Sequence, residues 1–404
     1  RAAAYGSDVP FDMDMGPQQG LLDVMQRGST MMSRVSSSSK EAKPLTLRRG
    51  VSEGTPGESE SGISLCFADE ARLIKASKSD AAPDLERLRL ADHHFLSPEV
   101  LQSVAARFPT LRELCLRGTR VTDEALATFC DSARWLESLD VSDTHLTDML
   151  PAARLRELRE LRAARCNDAV DPEFLTALGS ARRLEVLDLS SCHEVTGALL
   201  ETLASNLRCL VRLALEDCPK LNDTAVVSIC RCNPGIVHLS LASNPECLTD
   251  HGTAKAVGGL RRLRSLDLSG CPQMGQKLLG EVSRGCSFLE DLGMSAGAQA
   301  PSHAIARFSD KDILDVLMKC PNLRRLDVSG SLSLTEAPLL EGLPHARRLQ
   351  TLVLSMVPNI SDEAVSVIRL QRPALVVERH ARKQMDPNDL TPVLGKPLPL
   401  LKPK

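Results

Sequence analysis

Aromatic residues are scarce in this chain: one Trp (Trp135), one Tyr (Tyr5) and eight Phe among 404 residues. Large rings usually fill cores and line enzyme pockets, so a deep small-molecule site and a small-molecule substrate are not expected. An excess of one charge is missing too. The 49 basic and 52 acidic residues leave a net charge of −3, without the basic surplus of a protein that binds phosphates, so direct contact with nucleic acid is not expected, although a local basic patch stays open. No run of eighteen apolar residues occurs, which excludes a membrane-spanning helix and points to a soluble chain with no membrane partner. The thirteen cysteines are an odd number without the dense spacing of a small secreted scaffold. They read as free thiols in a reducing, intracellular compartment, the cytoplasm (cytoskeletal or ciliary) ahead of the nucleus or an organelle.

What is present is leucine at a fixed period. The pattern Leu-x-x-Leu-x-Leu begins at Leu85 and recurs at Leu111, Leu136, Leu158, Leu184, Leu210, Ile236, Leu263, Leu289, Leu323 and Leu349. The modal spacing is 26 residues, with one short unit at 136–157 and one long unit at 289–322. Each Leu-x-x-Leu-x-Leu predicts a short strand with its leucines inward and the intervening residues outward. A turn follows that carries Cys166, Cys192, Cys218 or Cys271 eight residues after the first leucine. Then come Val121-Thr122-Asp123, Leu146-Thr147-Asp148, Leu221-Asn222-Asp223, Leu248-Thr249-Asp250 and Ile360-Ser361-Asp362. These predict helix starts, because the polar residue accepts an orphan amide hydrogen and the acid suits the positive end of the helix dipole. Ser97-Pro98 gives the same signal in the first unit.

Strand, turn, capped helix and return every 26 residues predict an α/β solenoid, a horseshoe with parallel strands on the concave face and helices on the convex face. The pattern resembles the leucine-rich repeat family, and Leu-x-x-Leu-x-Leu-x-x-Cys followed by Leu-Thr-Asp resembles its cysteine-containing subclass, found in the repeat half of F-box ubiquitin-ligase subunits and in a DNA-repair relative. The resemblance covers residues 85–374. It implies protein binding as the activity, but the helical F-box that would precede the repeats is not recognisable.

The expected organisation is a low-complexity arm at 1–62 with a short helix at 19–27, an N-terminal cap at 63–84, the solenoid at 85–374, and a degenerate last strand with a Pro/Leu-rich tail at 375–404. Five prolines in the tail keep Leu390, Val393, Leu394, Leu398, Leu400 and Leu401 on an extended chain with nothing local to bury them. Such a tail is either disordered or an extended docking peptide. In the arm, Arg48-Arg49-Gly50-Val51-Ser52 has the form of a basophilic kinase site, where phosphate on Ser52 would change the local charge by nearly two units. The insertion in the long unit, 296–309, reads as a surface loop.

No nucleophile, metal or phosphate motif accompanies the scattered histidines, and the cysteines follow the repeat period rather than paired zinc knuckles. No catalytic residue, metal or cofactor is therefore expected. The outward strand residues are the candidate binding face: Arg87, Arg89, Glu113, Asp140, Arg162, Asp188, Arg212, Glu216, His238, Asp267 and Asp327, flanked by Asp217, Asp291 and Arg325. Asp140, Arg162 and Asp188 would stand as an acid–base–acid ladder on strands about 4.8 Å apart. The aspartates of Leu-Asp-Leu-Ser also fit a purely local backbone role. The expected function is a non-enzymatic scaffold, a structural subunit of a large multi-subunit complex. The alternative is the substrate-recognition subunit of an SCF-type ubiquitin ligase.

Overall fold

A computed structural model describes residues 63–66, 85–90, 98–244, 246–271, 273–296 and 308–379. The arm with its 19–27 helix and Ser52, most of the cap, residues 297–307 of the insertion, and the tail with Leu390, Val393, Leu394, Leu398, Leu400 and Leu401 lie outside the described residues.

Each repeat contributes one strand to a single parallel sheet whose strand order is the chain order. The first six are β1 (Ile63–Cys66), β2 (Leu85–Arg89), β3 (Glu113–Cys115), β4 (Ser138–Asp140), β5 (Glu160–Arg162) and β6 (Val186–Asp188). The next seven are β7 (Arg212–Ala214), β8 (His238–Ser240), β9 (Ser265–Asp267), β10 (Asp291–Gly293), β11 (Arg325–Asp327), β12 (Thr351–Val353) and β13 (Val376–Glu378). A unit of 26 residues has room for one strand, one crossover and a return, so each strand lies beside its predecessor. β1 adds a strand before the first leucine repeat, with a register shift between Ile63 and Ser64. β13 is the degenerate last strand, one residue later than the sequence suggests.

The second leucines of the repeats align into one buried column, from Leu88 through Leu187 to Leu352. Full burial of such a side chain is worth about 1.5–3 kcal/mol, and the column is one side of a continuous core. The other side comes from the helices. They are α1 (Pro98–Arg107), α2 (Asp123–Ser132), α3 (Leu150–Ala153), α4 (Pro172–Leu178), α5 (Gly197–Asn206) and α6 (Asp223–Cys232). Then follow α7 (Asp250–Val257), α8 (Gln276–Gly285), α9 (Asp310–Lys319), α10 (Ala337–Gly342) and α11 (Asp362–Gln371). Thr122, Asn222, Thr249 and Ser361 accept an amide hydrogen of the first turn through their side chains, as the polar-acid signature predicts, and Asp171 and Thr196, which lack the following acid, do the same. The exception is Thr147. Its repeat is the short one, with room for only the four-residue α3, which starts at Leu150 after a Met149 that offers no side-chain cap.

Among the described residues, the turn after nine of the strands repeats a left-handed conformation. The seventh residue after the first leucine is left-handed in Gly118, Gly270 and Gly330, and equally in Asp143, Arg165, Ser191, Asp217, Ser243 and Met356. A non-glycine residue there costs roughly 1–2 kcal/mol. The conformation aims each amide N–H at the next repeat, as in Asp143 to the Ala164 carbonyl at 2.9 Å and Asp217 to that of Ala242 at 2.9 Å. One residue on, the cysteines are buried as expected, but they also donate. Cys166, Cys192, Cys218 and Cys271 reach carbonyls of the preceding repeat at Val141, Ala163, Leu189 and Leu241, 3.1–3.3 Å away. Burial pushes the Cys192 and Cys218 thiols up to about 12, so they hold the proton they donate. Asn244 takes the same position in its repeat. Its amide donates to the Leu215, Leu241 and Ala242 carbonyls and its oxygen accepts from the Cys218 N–H at 2.9 Å.

Candidate functional site

With each central leucine turned inward, the two residues flanking it point outward by the period-two rule, and parallel register stacks them into two columns. The first runs Arg87, Glu113, Ser138, Glu160, Val186, Arg212, His238, Ser265, Asp291, Arg325 and Thr351. The second runs Arg89, Cys115, Asp140, Arg162, Asp188, Ala214, Ser240, Asp267, Gly293, Asp327 and Val353. The structure thus brings ten of the eleven strand-face candidates onto the strands. Glu216 lies two residues past β7 and accepts the Ser240 hydroxyl at 2.6 Å. Asp217 does not join the face: it is the left-handed turn residue of its repeat and is exposed.

Asp140, Arg162 and Asp188 are cross-strand neighbours, but the acid–base–acid ladder is not made of ion pairs. Arg162 turns along its own strand to Glu160 at 2.9 Å. Asp140, Asp188, Asp267 and Asp327 each accept the backbone N–H two residues on, from Ser142, Ser190, Ser269 and Ser329, at 2.9–3.1 Å. A short carboxylate two residues from a free amide closes an Asx-type turn more cheaply than it holds a neighbour's guanidinium. The local role therefore takes one oxygen of each of these aspartates. Arg87 pairs with Glu113 at 3.0 Å.

The two halves of the face differ electrostatically. Burial raises the Glu113 carboxyl, against the pull of Arg87. In the later repeats burial raises the Glu216 carboxyl and pushes Asp291 up to about 6, outweighing Arg325 and assisted by Asp267 and Asp327. His238, between Arg212 and Ser265, falls to about 4, first through burial and then through Arg212 and Arg264. Its ring nitrogens are buried without a hydrogen-bond partner. Burial likewise lowers Arg212. This stretch carries partly desolvated ionisable groups alongside the small side chains of Ala214, Ser240, Ser265 and Gly293.

Two networks were not read from the sequence. One residue before each strand triplet, Arg112, Glu137, Arg159 and Glu185 form a chain of ion pairs, and Arg264, Glu290 and Arg324 form another. Val211 and Val237 separate them. Their signal was alternation of sign at one repeat position. At the helix starts, the acid of the capping motif reaches into the following repeat. Asp123 accepts from the Thr147 N–H and hydroxyl and the Asp148 N–H, and Asp223 and Asp310 treat Thr249 and Thr335 alike. Asp250 accepts from the N–H groups of Gly275, Lys277 and Leu278 at 2.9–3.1 Å. Burial alone would raise Asp123, yet these bonds leave it lowered.

No family model matches this chain. It is 30% identical over 169 residues to F-box/LRR-repeat protein 4 of Bos taurus, covering 41% of this chain and 26% of that protein. It is 26% identical over 300 residues to the BTB/POZ domain-containing protein FBL11 of Arabidopsis thaliana, covering 68% of this chain and 30% of that protein. The chain spans less than a third of the length of these curated relatives. Among solved structures it is similar to a chain of the yeast Rad7 and Elc1 complex, with a TM-score of 0.54 and 17% identity over 78% of this chain and 83% of that one. That likeness is one of fold.

Proposed function

We propose, from the premise that this chain is a leucine-rich repeat solenoid with the cysteine-containing repeat pattern, that it is a non-enzymatic scaffold which binds another protein along its strand face and serves as a subunit of a larger assembly. The observation that carries the reading is the run from Arg212 to Asp327. There, half-buried ionisable groups with disfavoured charge stand in two in-register columns on an open face. A partner supplying complementary charge and hydrogen bonds would relieve a desolvation that the fold alone leaves uncompensated. Arg87, Arg89, Arg162 and Arg212 are the bidentate anchors in this reading. The Pro/Leu tail, with Leu390, Val393, Leu394, Leu398, Leu400 and Leu401, would lie along a neighbouring subunit, and phosphorylation of Ser52 would release or dock the arm.

Similarity to an F-box/LRR-repeat protein favours a second reading, the substrate-recognition subunit of an SCF-type ubiquitin ligase. Affinity purification with mass spectrometry separates the two, using the full chain, an Arg212→Glu/Asp327→Arg variant and a deletion of residues 385–404. Partners lost from the charge variant support the strand face. Recovery of a cullin and its small adaptor would select the ligase, and an unchanged partner set in both variants would remove the face and the tail alike.

A further inference from the structure

Where helices return to strands, four successive repeats carry an arginine two residues before their first leucine: Arg134, Arg156, Arg182 and Arg208, all exposed. Arg154, Arg156, Ser180, Arg182 and Arg183 line an open cleft of about 480 Å³ there. A cation after a helix commonly serves the helix, since its C-terminal carbonyls carry partial negative charge. Two arginines of this edge do so. Arg208 donates to the Ser205 carbonyl at 3.3 Å, and Arg372 donates to the carbonyls of Leu343, Ala346, Arg347 and Leu349. Arg183 is paired with Glu157. In contrast, the side chains of Arg134, Arg154, Arg156 and Arg182 make no hydrogen bond or ion pair with any described residue. Trp135, the only tryptophan of the chain, directly follows Arg134 on this edge and is 63% exposed.

Unpaired guanidiniums gathered on neighbouring repeats repel one another, and an exposed indole is an apolar surface left in water. Trp and Arg are also the residue types that dominate binding hot spots. We infer that this edge, from the end of α2 to the start of β7, docks an extended acidic segment of another protein, its carboxylates on the forks of Arg154, Arg156 and Arg182 and one apolar side chain on Trp135. The inference is independent of the strand-face reading. A protein segment fits better than a nucleic acid, because a single exposed ring stacks one base, whereas single-strand binders align several aromatics.

Because Trp135 is the sole tryptophan, its emission reports this site in the intact chain. The probe is a dye-labelled peptide of about a dozen Asp and Glu residues with one Leu, titrated at low salt and followed by both Trp135 emission and anisotropy. The expected result is a saturable change in both signals that weakens about tenfold in an Arg156→Glu/Arg182→Glu variant and again on raising the salt. Both arginines are exposed, and an unchanged circular dichroism melt would verify that the variant folds. Absence of saturable binding would overturn the proposal. So would equal affinity for the double variant, or binding of an oligonucleotide of the same charge at least as tight as that of the peptide.

Discussion

The two long edges of the solenoid carry opposite charge and use it in opposite ways. On the edge where strands lead into helices, Asp123, Asp223, Asp250 and Asp310 are each bonded to backbone or hydroxyl groups of the next repeat. On the edge where helices return to strands, Arg134, Arg154, Arg156 and Arg182 are bonded to nothing among the described residues. Exposure does not distinguish the edges; internal employment does. A solenoid repeats its geometry, so a residue the fold needs recurs wherever that geometry recurs. The capping acid comes back from Asp123 to Asp362, while the edge arginine fills four successive repeats, is replaced by Pro234, Ser287 and Pro321, and returns singly at Arg261 and Arg347. A charge gathered on adjacent repeats without an internal partner is the one that asks for an external one.

The largest expected effect lies beneath the acidic edge. Asn244→Leu keeps the volume but orphans the Cys218 N–H and the carbonyls that its amide serves, and should destabilise the chain by about 3 kcal/mol in urea unfolding. A loss below about 1 kcal/mol would mean that the buried polar column is incidental. Asp250→Ala comes next. It strips three amide donors at the start of α8, whose own N-cap Gly275 offers no side chain, and should cost about 2 kcal/mol, with Asp250→Asn in between. If Asp250→Ala were as silent as an edge arginine, the contrast between the edges would collapse.

Much of the fold was legible in the sequence because its causes are periodic. Leucine spacing set the strands, and polar-acid pairs set four of the helix starts, at Asp123, Asp223, Asp250 and Asp362. What periodicity could not show is where a side chain turns when two partners are in reach. Arg162 chose Glu160, and Asp140 chose its own backbone, because both are nearer along the chain than across the sheet. The thiol donors were hidden for a different reason: Cys reads as a small hydrophobe until its position beside the preceding repeat's carbonyls is seen. The site was legible as a surface and not as a set of contacts. The scarcity of aromatics that argued against a small-molecule pocket concealed that the one tryptophan, Trp135, stands exposed next to Arg134.

The strand face between the edges should respond to pH in a way neither edge does. Asp291 titrates near 6 in the fold against an ordinary 3.8. Between those values the folded chain holds a proton the unfolded chain has lost, so stability rises as pH falls from about 6 to 4. His238 runs the other way, near 4 against an ordinary 6.5, so the unfolded chain takes the proton first and stability falls over the same window. In the wild type the two slopes oppose each other, and Glu113 and Glu216, also raised by burial, add to the gain on acidification. Asp291→Asn should expose the loss on acidification, and His238→Gln should expose the gain, both measured as the urea midpoint against pH. On the acidic edge Asp123 lies below its ordinary value, so its contribution is lost only as pH falls below about 4. Parallel profiles for the two variants would sink the assignment.

The smallest effect is the most discriminating one. Arg156→Ala and Arg182→Ala remove charge from side chains that contact no partner among the described residues, so each should change unfolding free energy by less than about 0.5 kcal/mol. Their mutual repulsion makes any change a gain, largest at low ionic strength. Arg372→Ala is the control from the same edge. Its guanidinium serves four carbonyls, and its loss should cost about 1–2 kcal/mol. A solenoid that kept Arg156 and Arg182 for stability would show all three alike. If the first two are silent and the third is not, the arginines around Trp135 stand outside the requirements of folding, and their clustering on adjacent repeats has to be explained by what they bind.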